Sequence, residues 1–284
     1  MKPNEPSRTA LMIARQRAAH QLLDQGAIFN DPFAMKILCE DEKVVLQFAT
    51  AHPFAGIGRL FTAARSRIAQ DALSAAVERG IRQIVILGAG LDTFALRNPR
   101  GALELRIYEV DHPATQTWKR ERLAEARLAL PPWLIFVPVD FERDDLAQAL
   151  AGAGFQQNSP AFFTWLGVVP YLTPEAIGST LDFIASIPNS EVVFDYMEPP
   201  ESFSGELGKL EKARAEQLEK MDERSATRFD PAGMAALLRA HGFTAIEDID
   251  FQQIRSQFGH AVQGLPPAHA GLHVVHARCL GSAS

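Results

Sequence analysis

Two glycines and one acidic residue are spaced in this chain as in a nucleotide-binding fold. Gly88 and Gly90 come directly after an apolar run at 84–87 that is typical of a strand buried on both faces of a parallel sheet. Glycines at the end of such a strand permit a tight turn and let a ligand approach the bare backbone. Asp111 follows Gly90 by 21 positions (111 minus 90) at the end of a second apolar run, the spacing of a ribose-binding carboxylate. We therefore expect a nucleotide-type ligand here.

The residues after the glycine turn favour a ligand without phosphate groups. The third glycine of the dinucleotide fingerprint would fall at position 93, where this chain has Thr93. Asp92 lies at the predicted start of the next helix, where its negative charge would repel a pyrophosphate. S-adenosylmethionine has no phosphate, and its ammonium group suits a nearby carboxylate. A helix-capping role for Asp92 is the alternative, and it does not exclude the first role.

Composition and charge argue against several classes of protein. The chain has 284 residues and 47% hydrophobic content, which suits one α/β domain with additions. Its 28 Lys and Arg are dispersed among 34 Asp and Glu, with a net charge of -6, so we expect neither nucleic-acid nor membrane binding. Cys39 and Cys279 lie far apart and predict neither a disulfide framework nor a metal site. Because we recognise no signal peptide and no apolar run of membrane-spanning length, we expect a cytoplasmic protein.

An alternation of strands and helices is expected to position these residues. Strands are predicted at 83–87, 105–110, 134–139, 161–168 and 191–196, with helices between them. Residues 1–80 are predicted to form an N-terminal helical cap of the same domain, and 81–284 the ligand-binding part. A charged stretch at about 201–228 predicts a helical insertion, either a plain surface helix or a substrate lid. A helix and two strands should then complete a doubly wound, mostly parallel, seven-stranded α/β sheet with an antiparallel edge.

Five segments of the chain, in order, resemble one protein family. They read IFNDPFA, VILGAGLDTFALR, YEVDHP, VPVDFERDD and WLGVVPYLTPEAI. Together they are similar to motifs of the leucine carboxyl methyltransferase-like family of S-adenosylmethionine-dependent methyltransferases, especially its bacterial O-methyltransferase branch. The resemblance covers most of residues 7–200. It implies the class I methyltransferase fold, which is Rossmann-like, with S-adenosylmethionine as cofactor and S-adenosylhomocysteine as product.

The resemblance also implies which residues bind the cofactor on the first two strands. Gly88, Ala89 and Gly90 would line its methionine portion. Asp111 looks like the carboxylate that holds the ribose hydroxyls, and Glu109 on the same strand is a second candidate. A solvent-exposed strand end is the alternative interpretation of both acidic residues.

Further cofactor contacts are implied on the third strand and on the cap. Asp140 matches the acidic residue beside the adenine, and Phe141 could pack on the ring, although Asp140 could instead cap a helix. Arg65 resembles the arginine that pairs with the cofactor carboxylate, a contact that suits a planar guanidinium. Arg67 is only two positions from Arg65, so the sequence does not decide which of the two matches the family arginine. Arg17 loosely matches a further basic residue of the family near the site.

One position departs from the family pattern. Family members often have a glutamate where this chain has Leu166. The ammonium of the cofactor would then have to be held by Asp92 or by backbone carbonyl groups.

The reaction expected from such a site is methyl transfer to oxygen. A sulfonium methyl is already electrophilic, so the protein has mainly to align the acceptor and exclude water. A carboxylate acceptor needs no base, whereas His20, His52 or His112 could assist a hydroxyl, and Tyr171 could orient either. We predict an O-methyltransferase, monomeric or homodimeric, for a small molecule or an exposed peptide carboxylate. An NAD(P)-dependent oxidoreductase and a cofactor-binding protein without transfer activity are the alternatives.

Overall fold

Seven strands and the helices between them make up the described part of a computed structural model. The structure describes residues 7–51, 55–97, 105–199, 227–265 and 271–279, together with 208, 209 and 212. The strands are β1 (Gln83–Leu87), β2 (Arg106–Asp111), β3 (Leu134–Pro138), β4 (Ala161–Trp165), β5 (Glu191–Met197), β6 (Ala245–Asp250) and β7 (Leu272–Arg278). The helices are α1 (Arg8–Asp24), α2 (Ala34–Leu38), α3 (Glu42–Ala49), α4 (Ala55–Glu78), α5 (Phe94–Arg97), α6 (Pro113–Glu125), α7 (Leu146–Gly152), α8 (Pro174–Ser186), α9 (Pro231–Ala240) and α10 (Phe251–Phe258).

The strands form one sheet in the order β3-β2-β1-β4-β5-β7-β6. The pairs from β3 to β5 are parallel, and β7 is antiparallel to both β5 and β6. The predicted antiparallel edge is therefore confirmed, because both pairings at this end of the sheet are antiparallel, with β7 placed between β5 and β6. Because the chain runs outward from β1 in both directions, the strand order reverses beside β1. Ligands of open α/β sheets bind at such a switch point, at the carboxyl ends of the strands.

Both faces of the sheet are covered, which explains the unbroken apolar run of β1. Ile84 and Ile86 pack in the cluster that contains α4, whereas Val85 and Leu87 pack in the opposite cluster with α8 and α9. Alternate residues of a strand point to opposite faces, so a strand buried on both sides needs apolar residues at every position.

The helices ahead of β1 pack through small apolar side chains and one buried ionic group. Ser7 begins α1 by accepting a hydrogen bond from the amide of Ala10 at 3.1 Å. Within this layer, Nε of Arg59 lies 2.6 Å from the Asp24 carboxylate. Nδ1 of His20 lies 3.0 Å from the Asp24 carboxylate, and its Nε2 accepts a hydrogen bond from the amide of Ile28 at 3.2 Å. Both ring nitrogens of His20 thus have partners in the protein, which identifies it as a structural residue.

Among the strand boundaries that differ from the sequence prediction, two have a clear local cause. The strand predicted at 161–168 ends at Trp165, because Gly167 has a φ of +74° and begins a turn. The segment AIEDIDF, residues 245–251, is predicted from the sequence as one strand, but the strand ends at Asp250, because Asp250 accepts the amide of Gln253 at 2.8 Å and starts α10. Most of the insertion predicted at about 201–228 lies outside the described residues. Among those that are described, no helix combines the length and the apolar character needed to cross a bilayer.

The chain leaves β5 and returns to it at one place. The amide of Phe229 donates to the carbonyl of Met197 at 3.1 Å. Two residues earlier, Thr227 donates its amide to Pro170 at 3.3 Å and its hydroxyl to the carbonyl of Leu172 at 2.5 Å. The two ends of the intervening stretch are therefore held beside the turn that follows β4.

A histidine between two carboxylates joins β5, β6 and β7. Nδ1 of His273 lies 2.9 Å from Asp248, and its Nε2 lies 2.9 Å from Glu198. The ring stacks on Tyr196 at 4.6 Å between centroids, and the Tyr196 hydroxyl donates to Asp248 at 2.6 Å. Burial on its own lowers the pKa of His273, but the hydrogen bonds and charges of the two carboxylates outweigh it, and the pKa is raised.

This raised pKa predicts a pH dependence of stability. The contribution of His273 should be fully present below its unfolded pKa of about 6.5, and should be lost as pH rises through the higher folded value. We expect the free energy of unfolding of the native protein to decline above that pH more steeply than that of His273→Gln. Urea denaturation between pH 5.5 and 9 measures this difference. Parallel curves for the two proteins would contradict it.

Candidate active site

A cavity of about 380 Å³ opens at the carboxyl ends of β1, β2 and β4. Its walls come from the loop after each of these strands, from the loop after β3, and from α1 and α4 of the helical layer. The cavity thus lies at the switch point of the sheet. A second cavity of about 420 Å³ beside α4 and α5 contains none of the predicted site residues.

Most of the residues that the sequence predicted as cofactor ligands are brought together in the first cavity. Its lining includes Arg65, Gly88, Ala89, Gly90, Asp92, Asp111, Asp140 and Phe141, and also Arg17, His112, Leu166 and Tyr171. Glu109 is absent from the lining, and His52 lies outside the described residues. Seven of the nine proposed cofactor residues lie at or just after the carboxyl ends of β1, β2 and β3, while Arg65 comes from α4.

The glycine turn after β1 requires its glycines. Gly88 and Gly90 have φ angles of +65° and +47°, a region that glycine enters without steric cost. A Cβ at Gly88 would overlap Cγ2 of Val168, and one at Gly90 would approach the Cβ of Ala10 to 3.0 Å. The turn therefore passes very close both to the β4 loop and to α1. It leaves bare backbone facing the cavity.

Asp111 is bonded to the glycine turn. One carboxylate oxygen accepts the amide of Gly90 at 2.5 Å, and the other accepts the amide of His112 at 2.7 Å. Burial raises the pKa of Asp111, and these two hydrogen bonds act against that rise. Each carboxylate oxygen has a second lone pair, so the group can still accept hydrogen bonds from ribose hydroxyls in the cavity.

Glu109 has a different environment from Asp111, although both belong to β2. It is 1% exposed, and its carboxylate lies 2.5 Å from Nζ of Lys119 on α6. Burial raises the pKa of Glu109 to about 7, despite the opposing charge of Lys119. The Glu109 carboxylate is thus paired inside the protein beneath the cavity and does not line it, in contrast to the sequence expectation. The alternative interpretation, a solvent-exposed strand end, is also wrong for Glu109, because Glu109 is buried and paired with Lys119 of α6.

The position of Asp92 is compatible with both roles considered for it, of which the structure shows the capping role. It accepts the amide of Phe94, the first residue of α5, at 2.6 Å, as a capping residue does. Its other oxygen lies 3.8 Å from Nη1 of Arg17. Burial on its own raises the pKa of Asp92, but Arg17, Arg97 and Lys119, together with the Phe94 amide, outweigh it and the pKa is lowered. An ionised carboxylate therefore lies in the cavity wall, where it can attract an ammonium group.

The structure distinguishes the two candidate arginines of α4. Arg65 is 4% exposed, lines the cavity and forms an ion pair with Asp195 at 2.7 Å. Arg67 is exposed and pairs with Asp71 on the same helix at 2.7 Å. Residues two apart on a helix do not share a face, so only one of the two can face the cavity. That residue is Arg65.

Asp140 and Phe141 follow β3 at the cavity wall. Asp140 accepts the amide of Glu142 at 3.1 Å and so shapes the loop. It does not cap α7, because that role belongs to Asp145, which accepts the amide of Gln148 at 3.0 Å. The capping alternative for Asp140 is therefore wrong, and its carboxylate and the Phe141 ring remain in the cavity wall.

Sequence reasoning missed Asp31, which supports the glycine loop from outside the cavity. The hydroxyl of Thr93 donates to Asp31 at 2.6 Å, and Nε of Arg17 lies 3.2 Å from the same carboxylate. Asp31 is 1% exposed and joins the helical layer to the β1 loop. This contact gives Thr93 a structural role at the position of the third glycine of the dinucleotide fingerprint. The signal was present in the segment IFNDPFA, which was recognised as a motif but given no role.

The two candidates for acceptor chemistry in the lining are His112 and Tyr171. Nδ1 of His112 accepts the amide of Ala114 at 3.2 Å and caps α6. A neutral His112 therefore has its proton on Nε2 and can donate there but not accept. Tyr171 lies in the short turn after β4, where its amide donates to Val168 at 2.9 Å.

Comparison with known proteins supports what the sheet and the cavity indicate. The family model described as "Leucine carboxyl methyltransferase" matches residues 10–185. A Bacillus subtilis (strain 168) protein, YktD, named as a candidate S-adenosyl-L-methionine-dependent methyltransferase, is 33% identical over 223 residues, covering 70% of this chain and 73% of the relative. A Mycolicibacterium smegmatis protein with the same designation is 29% identical over 258 residues, covering 83% and 80%.

Solved structures share the fold at low sequence identity. A DUF574 family protein from Streptomyces avermitilis has a TM-score of 0.58 at 16% identity, covering 97% of this chain and 98% of its own. The CurJ carbon methyltransferase has a TM-score of 0.53 at 15% identity, covering 96% and 67%. These likenesses show the fold alone, which is that of the class I S-adenosylmethionine-dependent methyltransferases.

The chain is therefore a class I methyltransferase that uses S-adenosylmethionine as cofactor. Within that class, it belongs to the leucine carboxyl methyltransferase family. The cavity fits this cofactor in three respects: the bare glycine turn, the Asp111 carboxylate at the end of β2, and the buried guanidinium of Arg65. Membership of this family identifies the chain as a methyltransferase, in place of the nicotinamide-dependent oxidoreductase considered as an alternative.

Proposed function

We propose that this methyltransferase transfers the methyl group to an oxygen atom, with a carboxylate as the preferred acceptor. The acceptor would be a small molecule or an exposed peptide carboxylate. One observation carries this choice: within the described part of the chain, His112 is the histidine of the cavity lining, and its Nδ1 is occupied by the Ala114 amide. A hydroxyl acceptor benefits from a base, whereas a carboxylate is already ionised at neutral pH.

The cavity residues divide naturally between the parts of the cofactor. Asp111 would hold the ribose, Asp140 and Phe141 the adenine, and the glycine turn with Arg65 and Asp92 the amino-acid end. When bound, S-adenosylmethionine supplies an activated methyl group on sulfur. What remains for the protein is alignment of the acceptor and exclusion of water.

Apolar and hydrogen-bonding groups are both available on the acceptor side. Ile13 of α1 and Leu172 of the β4 turn line the cavity and would displace water around the methyl group. Tyr171, in the same turn, would orient an acceptor oxygen through its hydroxyl. Tyr171 is therefore proposed as an orienting residue, and no general base is assigned.

The test is transfer of labelled methyl groups to matched acceptors. We expect transfer to carboxylic acids and little transfer to the corresponding alcohols or amines, and the product should release labelled methanol in alkali, as methyl esters do. Stable products, such as methylamines, ethers or carbon-methylated compounds, would overturn the ester proposal. If the protein bound S-adenosylhomocysteine tightly but transferred nothing to a broad acceptor panel, the alternative without transfer activity would be favoured.

A further inference from the structure

We propose that Asp195 is a positioning residue that presents Arg65 to the amino-acid end of the cofactor. The proposal rests on the cofactor site described above and not on oxygen as the methyl acceptor. Asp195 lies on β5, is 3% exposed, and does not line the cavity. It therefore acts through the residues it contacts.

The Asp195 carboxylate uses both of its oxygens. One accepts a hydrogen bond from Nη1 of Arg65 at 2.7 Å, and the other accepts the amide of Gly167 at 2.6 Å. Three separate elements meet in these two bonds, namely α4, β5 and the turn after β4. Charge-assisted bonds of this length are among the stronger hydrogen bonds in proteins.

Arg65 is confined on its other sides as well. Gly167 has a φ of +74°, and a Cβ there would lie 2.9 Å from Nη2 of Arg65, so the guanidinium packs on bare backbone. The ring of Phe61 lies 5.7 Å from the guanidinium carbon. An arginine side chain has many rotamers, and fixing one before the ligand arrives removes that entropic cost from binding.

The remaining donors of Arg65 are available to a ligand. A guanidinium has five N–H donors, and among the described residues the hydrogen-bond acceptor of Arg65 is Asp195, through Nη1. The N–H groups on the unoccupied edge of this guanidinium have a geometry that suits a carboxylate. Leu166, beside Gly167 in the lining, supplies no charge. Asp195 thus fixes the cation and neutralises it when no ligand is bound.

The proposal predicts a selective loss of affinity. Asp195→Asn retains an oxygen for the Gly167 amide but removes the charge that orients Arg65. We expect the Kd for S-adenosylhomocysteine to rise about tenfold or more, while the Kd for 5′-methylthioadenosine, which lacks the amino-acid part, changes less than about twofold. Calorimetric titration of both ligands with the full chain measures this. Asp71→Asn breaks the exposed ion pair with Arg67 on the same helix and should leave both values unchanged.

Two further variants separate positioning from a general structural role. If Asp195 acts through Arg65, Asp195→Asn should add little to the loss already caused by Arg65→Gln. Gly167→Ala places a methyl group against Nη2 of Arg65. This variant should also weaken binding of S-adenosylhomocysteine more than binding of 5′-methylthioadenosine, and it tests the proposal even if Asp195→Asn fails to fold. An equal loss for both ligands, additive effects, or unchanged binding would overturn the proposal. Because no acceptor is used, a failure of ester formation would not affect this result.

Discussion

Asp111→Ala is expected to weaken binding of S-adenosylhomocysteine by about 1 to 3 kcal/mol, or about 5- to 150-fold in Kd. The variant loses the carboxylate that faces the cavity at the end of β2. It also leaves the amides of Gly90 and His112 without their acceptor. Both effects act at the ribose position, and calorimetric titration of the purified variant measures their sum.

A ligand without the 2′-hydroxyl separates these two effects. If Asp111 holds the ribose, this analogue should bind the native protein weakly and lose little more affinity in Asp111→Ala. Asp145→Ala is a suitable control, because it removes the carboxylate that caps α7 away from the cavity. Unchanged affinity in a folded Asp111→Ala protein would refute the assignment.

Gly88→Ala is expected to reduce cofactor binding about 100-fold or more, because the glycine turn must move to admit the new methyl group. The Cβ would overlap Cγ2 of Val168, and the φ of +65° adds the strain of a left-handed residue. Binding of S-adenosylhomocysteine and thermal unfolding should be measured together. We expect the loss of affinity to exceed any loss of stability.

Two companion variants identify the cause of this loss. Gly88→Ala combined with Val168→Ala removes the overlapping methyl group and should recover part of the affinity, while the φ strain stays. Gly80→Ala has a similarly unfavourable φ of +100°, but a Cβ there has no neighbour within 4 Å, and the position is remote from the cavity. It should cost stability without affecting binding. If the double variant bound no better than Gly88→Ala, the overlap with Val168 would not be the cause.

The parts of the site that could be predicted from sequence are those with local signals. The run before Gly88 and the spacing from Gly90 to Asp111 follow from the geometry of one βαβ unit, and all three residues line the cavity. Family motifs added Arg65, Asp140 and Phe141, which also line it. The specific functions of these residues stay predictions until binding is measured.

The contacts that could not be predicted join residues far apart in the chain. Asp31 meets Thr93 across 62 positions, and Arg65 meets Asp195 across 130. The local hydrophobic periodicity of the sequence contains no signal for such long-range pairs. Glu109 was misjudged for a similar reason, because only the packing of α6 on the sheet shows that Lys119 is its partner. The insertion of β7 between β5 and β6 is equally a property of the whole sheet.

The way the chain leaves and rejoins β5 has a consequence for how this fold can diversify. The Phe229–Met197 bond and the two bonds of Thr227 fix both ends of the intervening stretch beside the turn that carries Leu172. Closing a loop costs only about 0.6 kcal/mol more for each doubling of its length. A change in the number of residues between Glu198 and Thr227 therefore alters the entropic cost of closing this stretch only slightly. Such a change of length would occur next to the cavity wall that Leu172 lines, and it would leave the proposed cofactor residues of β1, β2 and α4 as they are.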